Sequence, residues 1–188
     1  MAPKKGNFEF DYTAFYCEEN IQRLDQGPNL AQETRHVVFI SNPARTCPLW
    51  AQRAAADPEG PIFWDYHVVL VTGGDEPHVW DLDSRLRPPT SAERWLKATF
   101  PLAGALQPSL APRFRVVDSE TFQATFSSDR SHMQGQENPP PPPPWPAPFA
   151  PDRGMNLPRF IDMTDAFVGT LMDFVAFRRF LTAPPRSA

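Results

Sequence analysis

Three residue types in this chain could do covalent chemistry together. Cys17 stands in "FYCEEN", residues 15 to 20. The spacing of Cys17, Ile21 and Leu24 puts them on one face of a helix that starts at the cysteine. Glu18 and Glu19 fall in its first turn, where carboxylates suit the positive end of the helix dipole. A helix N-terminus can lower a thiol pKa and make it a nucleophile. The two glutamates act the other way, so a reactive Cys17 needs a nearby cation. The competing assignment is a buried, inert cysteine.

The needed cation is legible further on. "IFWDYHVVLV", 62 to 71, is the strongest strand pattern in the sequence, and "HVWDLD", 78 to 83, is a second. "TGGDEP" between them has turn chemistry, so the two predict an antiparallel hairpin. Alternation groups Asp65, His67, Val69 and Val71 on one face. Pairing Val69 with Val79 sets His67 opposite Asp81, with Cβ atoms about 5 Å apart. A slip of two sets His67 opposite Asp83 instead. A carboxylate fixes an imidazole's tautomer and favours its charged form. Cys17, His67 and Asp81 then make a nucleophile, a general base and its orienting acid. A structural hydrogen bond between His67 and Asp81 is the simpler alternative.

The other candidates are weaker. His36 and His78 sit at strand ends and are expected to be solvated. His132 lies in the polar run "SSDRSHM", which lines a pocket or is only a loop. Cys47 reads as a small core residue. Cysteines and histidines show no metal-ligand spacing, so no metal and no cofactor is expected. No glycine-rich phosphate loop occurs.

These residues need a frame. The chain has 188 residues, 41% hydrophobic and 21% charged, enough for a single domain with a core. The net charge of -4 does not suggest a nucleic-acid surface or an anionic membrane partner. The 24 prolines predict many irregular connections. No apolar run is long enough for a membrane span or resembles a secretory signal. With two cysteines, a disulfide framework is not expected, and a reducing cytoplasmic or nuclear setting fits. Helices are predicted at 17–26, 48–56, 91–100 and 119–126, and from Thr164 to Leu181. Further strands are predicted at 36–41 and 113–118. Residues 133–155, with "NPPPPPPWPAP", should form an extended polyproline II loop within the domain. Residues 1–10 and 183–188 are expected to be flexible ends. The irregular order of helices and strands predicts an α+β fold, an antiparallel sheet packed against helices.

"YCEENI", "VFISN", "WDYHVVL", "DLD", "FSSDRSHM", "PPPPPPWP" and "MNLPRFI" occur in the order seen in protein N-terminal glutamine amidohydrolases, and the chain resembles that family from about Tyr16 to Phe180. The resemblance implies a papain-like or transglutaminase-like core and a triad of Cys17, His67 and Asp81. It implies a monomer that deamidates an N-terminal glutamine to glutamate through a thioester and feeds the N-degron pathway. Its partners would be proteins or peptides with that terminus. Such a substrate carries an α-ammonium, and Asp65, Asp129 and Glu18 are the candidates to bind it. Rival assignments are a papain-like protease, a transglutaminase, or a non-enzymatic adaptor that uses the proline run.

Overall fold

The computed structural model describes residues 11–73, 76–134 and 138–182. The expected flexible ends, 1–10 and 183–188, lie outside the described residues, as does Gly74 of the hairpin turn.

Helix α1, Cys17–Asp25, starts at the cysteine as expected. Strand β1, Arg35–Ser41, follows. Strands β2, Cys47–Leu49, and β3, Ile62–Trp64, form a small antiparallel pair of their own. The hairpin is β4, His67–Thr72, and β5, His78–Trp80. Then come β6, Thr90–Ser91, α2, Ala92–Thr99, β7, Arg113–Asp118, and α3, Ser119–Thr125. The Asp118 side chain caps α3 by accepting from the Thr121 N–H. The chain ends with α4, Leu157–Ile161, β8, Thr170–Asp173, and α5, Phe174–Thr182.

Six strands form one antiparallel sheet in the order β6-β5-β4-β1-β7-β8. Both of its faces are covered. Val37, Phe39, Val68 and Leu70 pack with Ile21, Phe122 and Phe160, from α1, α3 and α4. Val38, Ile40, Val69 and Val71 pack with Trp95, Leu96 and Phe177, from α2 and α5. This is why "VVFI" and "VVLV" are unbroken apolar runs: alternate residues enter different cores, and neither face is wet. The expected mixed α/β organisation around an antiparallel sheet is found. Among the described residues, no helix is long and apolar enough to cross a membrane.

Four local expectations are corrected. The helix expected at 48–56 is absent: Pro48 pairs with Phe63, and the following residues form an irregular arm. Backbone bonds from Arg53 N–H to Asp83 O and from Arg85 N–H to Ala51 O hold that arm to the turn after β5. The long strand at 62–71 breaks at Asp65 and Tyr66, so β3 and β4 belong to different sheets. The helix expected from Thr164 to Leu181 is a strand followed by a helix. Gly169 precedes the strand with φ +79°, and a Cβ there would lie 2.5 Å from the Val116 carbonyl oxygen. Asp173 then accepts from the Ala176 N–H and starts α5. His36, expected to be solvated, is half-buried, with its ring edge-on to Phe180. Burial lowers its pKa, against the opposing effect of Asp118.

Candidate active site

The carboxylate of Asp81 accepts from the His67 ring at Nε2, 2.9 Å away, and both residues are buried. The expected register does not produce this contact. Leu70 pairs with Trp80 and Val71 with Val79, a shift of two from the expected pairing. Extended further, that register would set Asp83 opposite His67. But β5 stops at Trp80, and the chain turns with Ser84 N–H bonded to Asp81 O. The turn brings Asp81 back to the imidazole.

Every other bond to Asp81 steadies it. Gln52 Nε2 and Trp95 Nε1 each donate to Oδ2 from 3.0 Å. The Asp83 N–H donates to Oδ1. Burial opposes the charge of Asp81, but His67 and these donors outweigh it and lower its pKa. Burial likewise opposes the imidazolium, but Asp81 raises the His67 pKa overall. An ionised Asp81 only accepts, so Nε2 of His67 carries the proton. In the neutral ring, Nδ1 then holds the lone pair. Trp64 stacks on the imidazole, with centroids 5.8 Å apart.

Cys17 and His67 line the same cavity, of about 750 Å³. Cys17 opens α1 behind Tyr16, which offers no side-chain cap. Its sulfur lies 3.8 Å from Glu18 Oε2. The pKa of Cys17 is well above that of an ordinary thiol. Burial is the main cause and Glu18 and Asp83 add to it, against one hydrogen bond from the Val68 backbone. The lowering expected from the helix start does not dominate.

Of the three carboxylates expected at a substrate amine, Asp65 is exposed and lines the cavity. Its Oδ1 accepts from the Tyr66 N–H. Glu18 is fully buried, is not among the residues that line the cavity, and accepts from the Tyr66 hydroxyl at 2.9 Å. Asp129 is exposed, accepts from the Ser131 N–H, and is not among the residues that line the cavity. His132 does line it, as do Asp83 and Trp64. Asp83 accepts from the Tyr12 hydroxyl at 2.6 Å. Trp64, Tyr66 and Gln52 were not singled out from the sequence. The signal for the first two was their place beside His67 in "WDYH"; Gln52 was hidden in an expected helix.

The proline-rich segment forms part of the wall through Pro140 and Pro141. It is tied at two points to α1 and the residue before it. The Tyr16 hydroxyl donates to Pro140 O, and Trp145 Nε1 donates to Glu19 Oε2 at 2.8 Å. Arg130 bridges the two, bonding both Glu19 oxygens and the Trp145 carbonyl.

Known proteins with this sequence pattern agree with one another. The family model described as N-terminal glutamine amidase matches residues 12–181. The chain is 37% identical to a human protein N-terminal glutamine amidohydrolase, over 81% of this chain and 78% of that one. It is 35% identical to the Danio rerio protein of the same name, over 87% of each. The chain belongs to the N-terminal glutamine amidase family.

Proposed function

We propose that this protein hydrolyses the side-chain carboxamide of an N-terminal glutamine to a carboxylate and releases ammonia. The observation that carries the reading, within this family, is the buried His67–Asp81 pair on the same cavity as Cys17. A helix-borne thiol beside a sheet-borne histidine also supports a papain-like or transglutaminase-like core. On this reading the whole chain is one amidohydrolase domain, and residues 133–155 are a loop of that domain that shapes the site.

The thiol is neutral at rest, so its proton passes to Nδ1 of His67 as the sulfur attacks the amide carbon. The backbone N–H groups at the start of α1, that of Cys17 included, hold the oxyanion. His67 then protonates the departing nitrogen, which leaves as ammonia and gives a thioester. It next takes a proton from water. The hydroxide attacks the thioester carbonyl, the glutamate product leaves, and the sulfur recovers its proton from His67. Asp81 stabilises the imidazolium in both halves. Two free, buried cysteines fit a reducing cytoplasm or nucleus, in which the new glutamate would feed the N-degron pathway. The protein would act as a monomer.

The test is ammonia release from peptides beginning with Gln, Asn or acetyl-Gln. Only the first should turn over well. Asparagine places its amide carbon one methylene short of Cys17, and attack is sensitive to a misplacement of about 1 Å. Chain cleavage or amine incorporation would point to a protease or transglutaminase instead. Equal turnover of free and acetylated Gln-peptides would make it a general glutaminyl amidase.

A further inference from the structure

Three buried carboxylates in this fold have donors on both oxygens. Asp25 takes the Ser119 hydroxyl and Gln123 Nε2 and stands 3.3 Å from Arg35. Glu19 takes Arg130 on both oxygens and Trp145 on one. Asp81 takes His67 and the Asp83 N–H on Oδ1, and Gln52 and Trp95 on Oδ2. Such satisfaction is the rule for buried polar groups.

Asp83 is built differently. It lines the Cys17 cavity and is 6% exposed, so its carboxylate is shielded but reachable. Oδ1 accepts from the Tyr12 hydroxyl at 2.6 Å. Oδ2 has neither a hydrogen bond nor an ion pair among the described residues, and it is not a sealed orphan as Glu18 Oε1 is. The charge of Arg53 reaches Asp83, but Arg53 Nε donates to the Ser84 carbonyl, and its guanidinium lies over the Tyr12 ring rather than pairing with the carboxylate.

Its place in the site is as telling. Among the described residues, Asp65 and Asp83 are the two carboxylates on the cavity wall. The charge of Asp83 acts on the Cys17 thiol more than that of Asp65 does, and it acts on His67 as well. Asp65 is exposed, where water and salt screen it.

An N-terminal glutamine must bring its side-chain amide to Cys17 and His67, because that amide carbon is attacked. Its α-ammonium is three carbons away and enters the same cavity. A desolvated ammonium needs an acceptor and compensating charge. We propose that Asp83 reads the substrate's free N-terminus, with Oδ2 accepting from the α-ammonium while Oδ1 stays with Tyr12. Burial raises the pKa of Asp83 in the empty site, and an arriving cation favours the ionised form, so the contact brings its own charge state with it. An acetylated amine has no charge to offer and would leave Oδ2 unmet. This inference rests on the amidohydrolase reading above.

Two substitutions separate recognition from a merely structural role. Asp83→Asn keeps the shape and an acceptor for Tyr12 but removes the charge. Tyr12→Phe does the reverse: it removes the structural bond and keeps the carboxylate. Both are made in a Cys17→Ala background, and peptide binding is read by calorimetry, so no turnover is needed. The probes are a Gln-starting peptide and its desamino analogue, in which hydrogen replaces the α-amine. The Cys17→Ala parent should prefer the Gln-peptide about tenfold or more, the scale of one hydrogen bond to a charged group. Asp83→Asn should erase most of that preference by weakening the Gln-peptide alone. Tyr12→Phe should keep it, and Asp65→Asn should reduce it less than Asp83→Asn does. If Asp83→Asn does not fold, Asp83→Ser should show the same selective loss. Equal loss on both peptides, a preference that survives Asp83→Asn, one that is lost in Tyr12→Phe, a larger loss in Asp65→Asn, or no binding by the parent overturns the inference. Ammonia release by the unmodified protein is measured alongside; failure there alone strikes the amidohydrolase reading and leaves amine recognition standing.

Discussion

Cys17 combines a reactive group with surroundings that keep it quiet. Burial and the nearby carboxylates of Glu18, Asp83 and Asp65 raise its pKa, so in the proposed mechanism substrate and His67 would remove the proton together. Cys17→Ala should abolish ammonia release and leave the thermal unfolding midpoint near that of the parent. Cys47 is also buried and is not among the residues that line the cavity. Cys47→Ala should cost about 1–2 kcal/mol of stability in a denaturant titration, with turnover unchanged. The two aspartates after β5 should also separate. Asp81→Asn should lower kcat strongly, on the scale of about 10⁴ seen for the matching change in a serine protease triad. Asp83→Asn should cost far less. Burial, the largest effect on Asp83, raises its pKa despite the His67 charge and the Tyr12 hydrogen bond. A carboxyl whose pKa rises on folding penalises the fold fully above the folded value and not at all below the unfolded one. Asp83→Asn keeps an acceptor for Tyr12, so it should raise the unfolding midpoint at neutral pH. That gain should fade as pH falls through the carboxylate range. A gain that grows in acid would contradict the assignment.

Elements were legible where one local signal dominated. The periodicity after Cys17, the β-branched runs of β1 and β4, and the helix after Asp118 each appear in the fold where expected. The failures came where tertiary contacts override local pattern. Pro48 and the alanines after it look helical, yet the arm's backbone is held by the turn that carries Asp81. Phe167, Leu171, Phe174 and Phe177 fit one helical stripe, but Gly169 against the Val116 carbonyl interrupts it. The choice of Asp81 over Asp83 rested on a register that is shifted by two; a turn no periodicity encodes restores the contact. The tie between α1 and the proline-rich wall was equally hidden, since Glu19 and Trp145 are 126 residues apart. It carries its own prediction. Arg130→Met would leave the fully buried Glu19 carboxylate without its counter-ion. It should destabilise the fold by about 3–5 kcal/mol in urea. Lys97→Met, which breaks an exposed pair with Glu93, should stay within about 0.5 kcal/mol.

At the scale of the whole molecule, an antiparallel sheet buried on both faces requires every strand to bring only what the two cores accept. Arg115 in β7 departs from this: it is a charged residue and fully buried. Its guanidinium donates to the carbonyls of Phe160, Asp162, Asp165 and Val168. Arg115→Met should cost more than about 3 kcal/mol, because it removes four hydrogen bonds of a buried charged group, and of their acceptors the Asp165 carbonyl keeps the Phe167 N–H. Those carbonyls lie 45 to 53 residues further along the chain. While the polypeptide is still emerging from a ribosome, β7 therefore carries an uncompensated cation into a sheet that still lacks β8. Its acceptors come only from the later stretch between Phe160 and Val168. Leu157, Pro158 and Ile161 of α4, which leads into that stretch, line the Cys17 cavity, so the cavity should acquire its full shape only after that stretch has been made and docked.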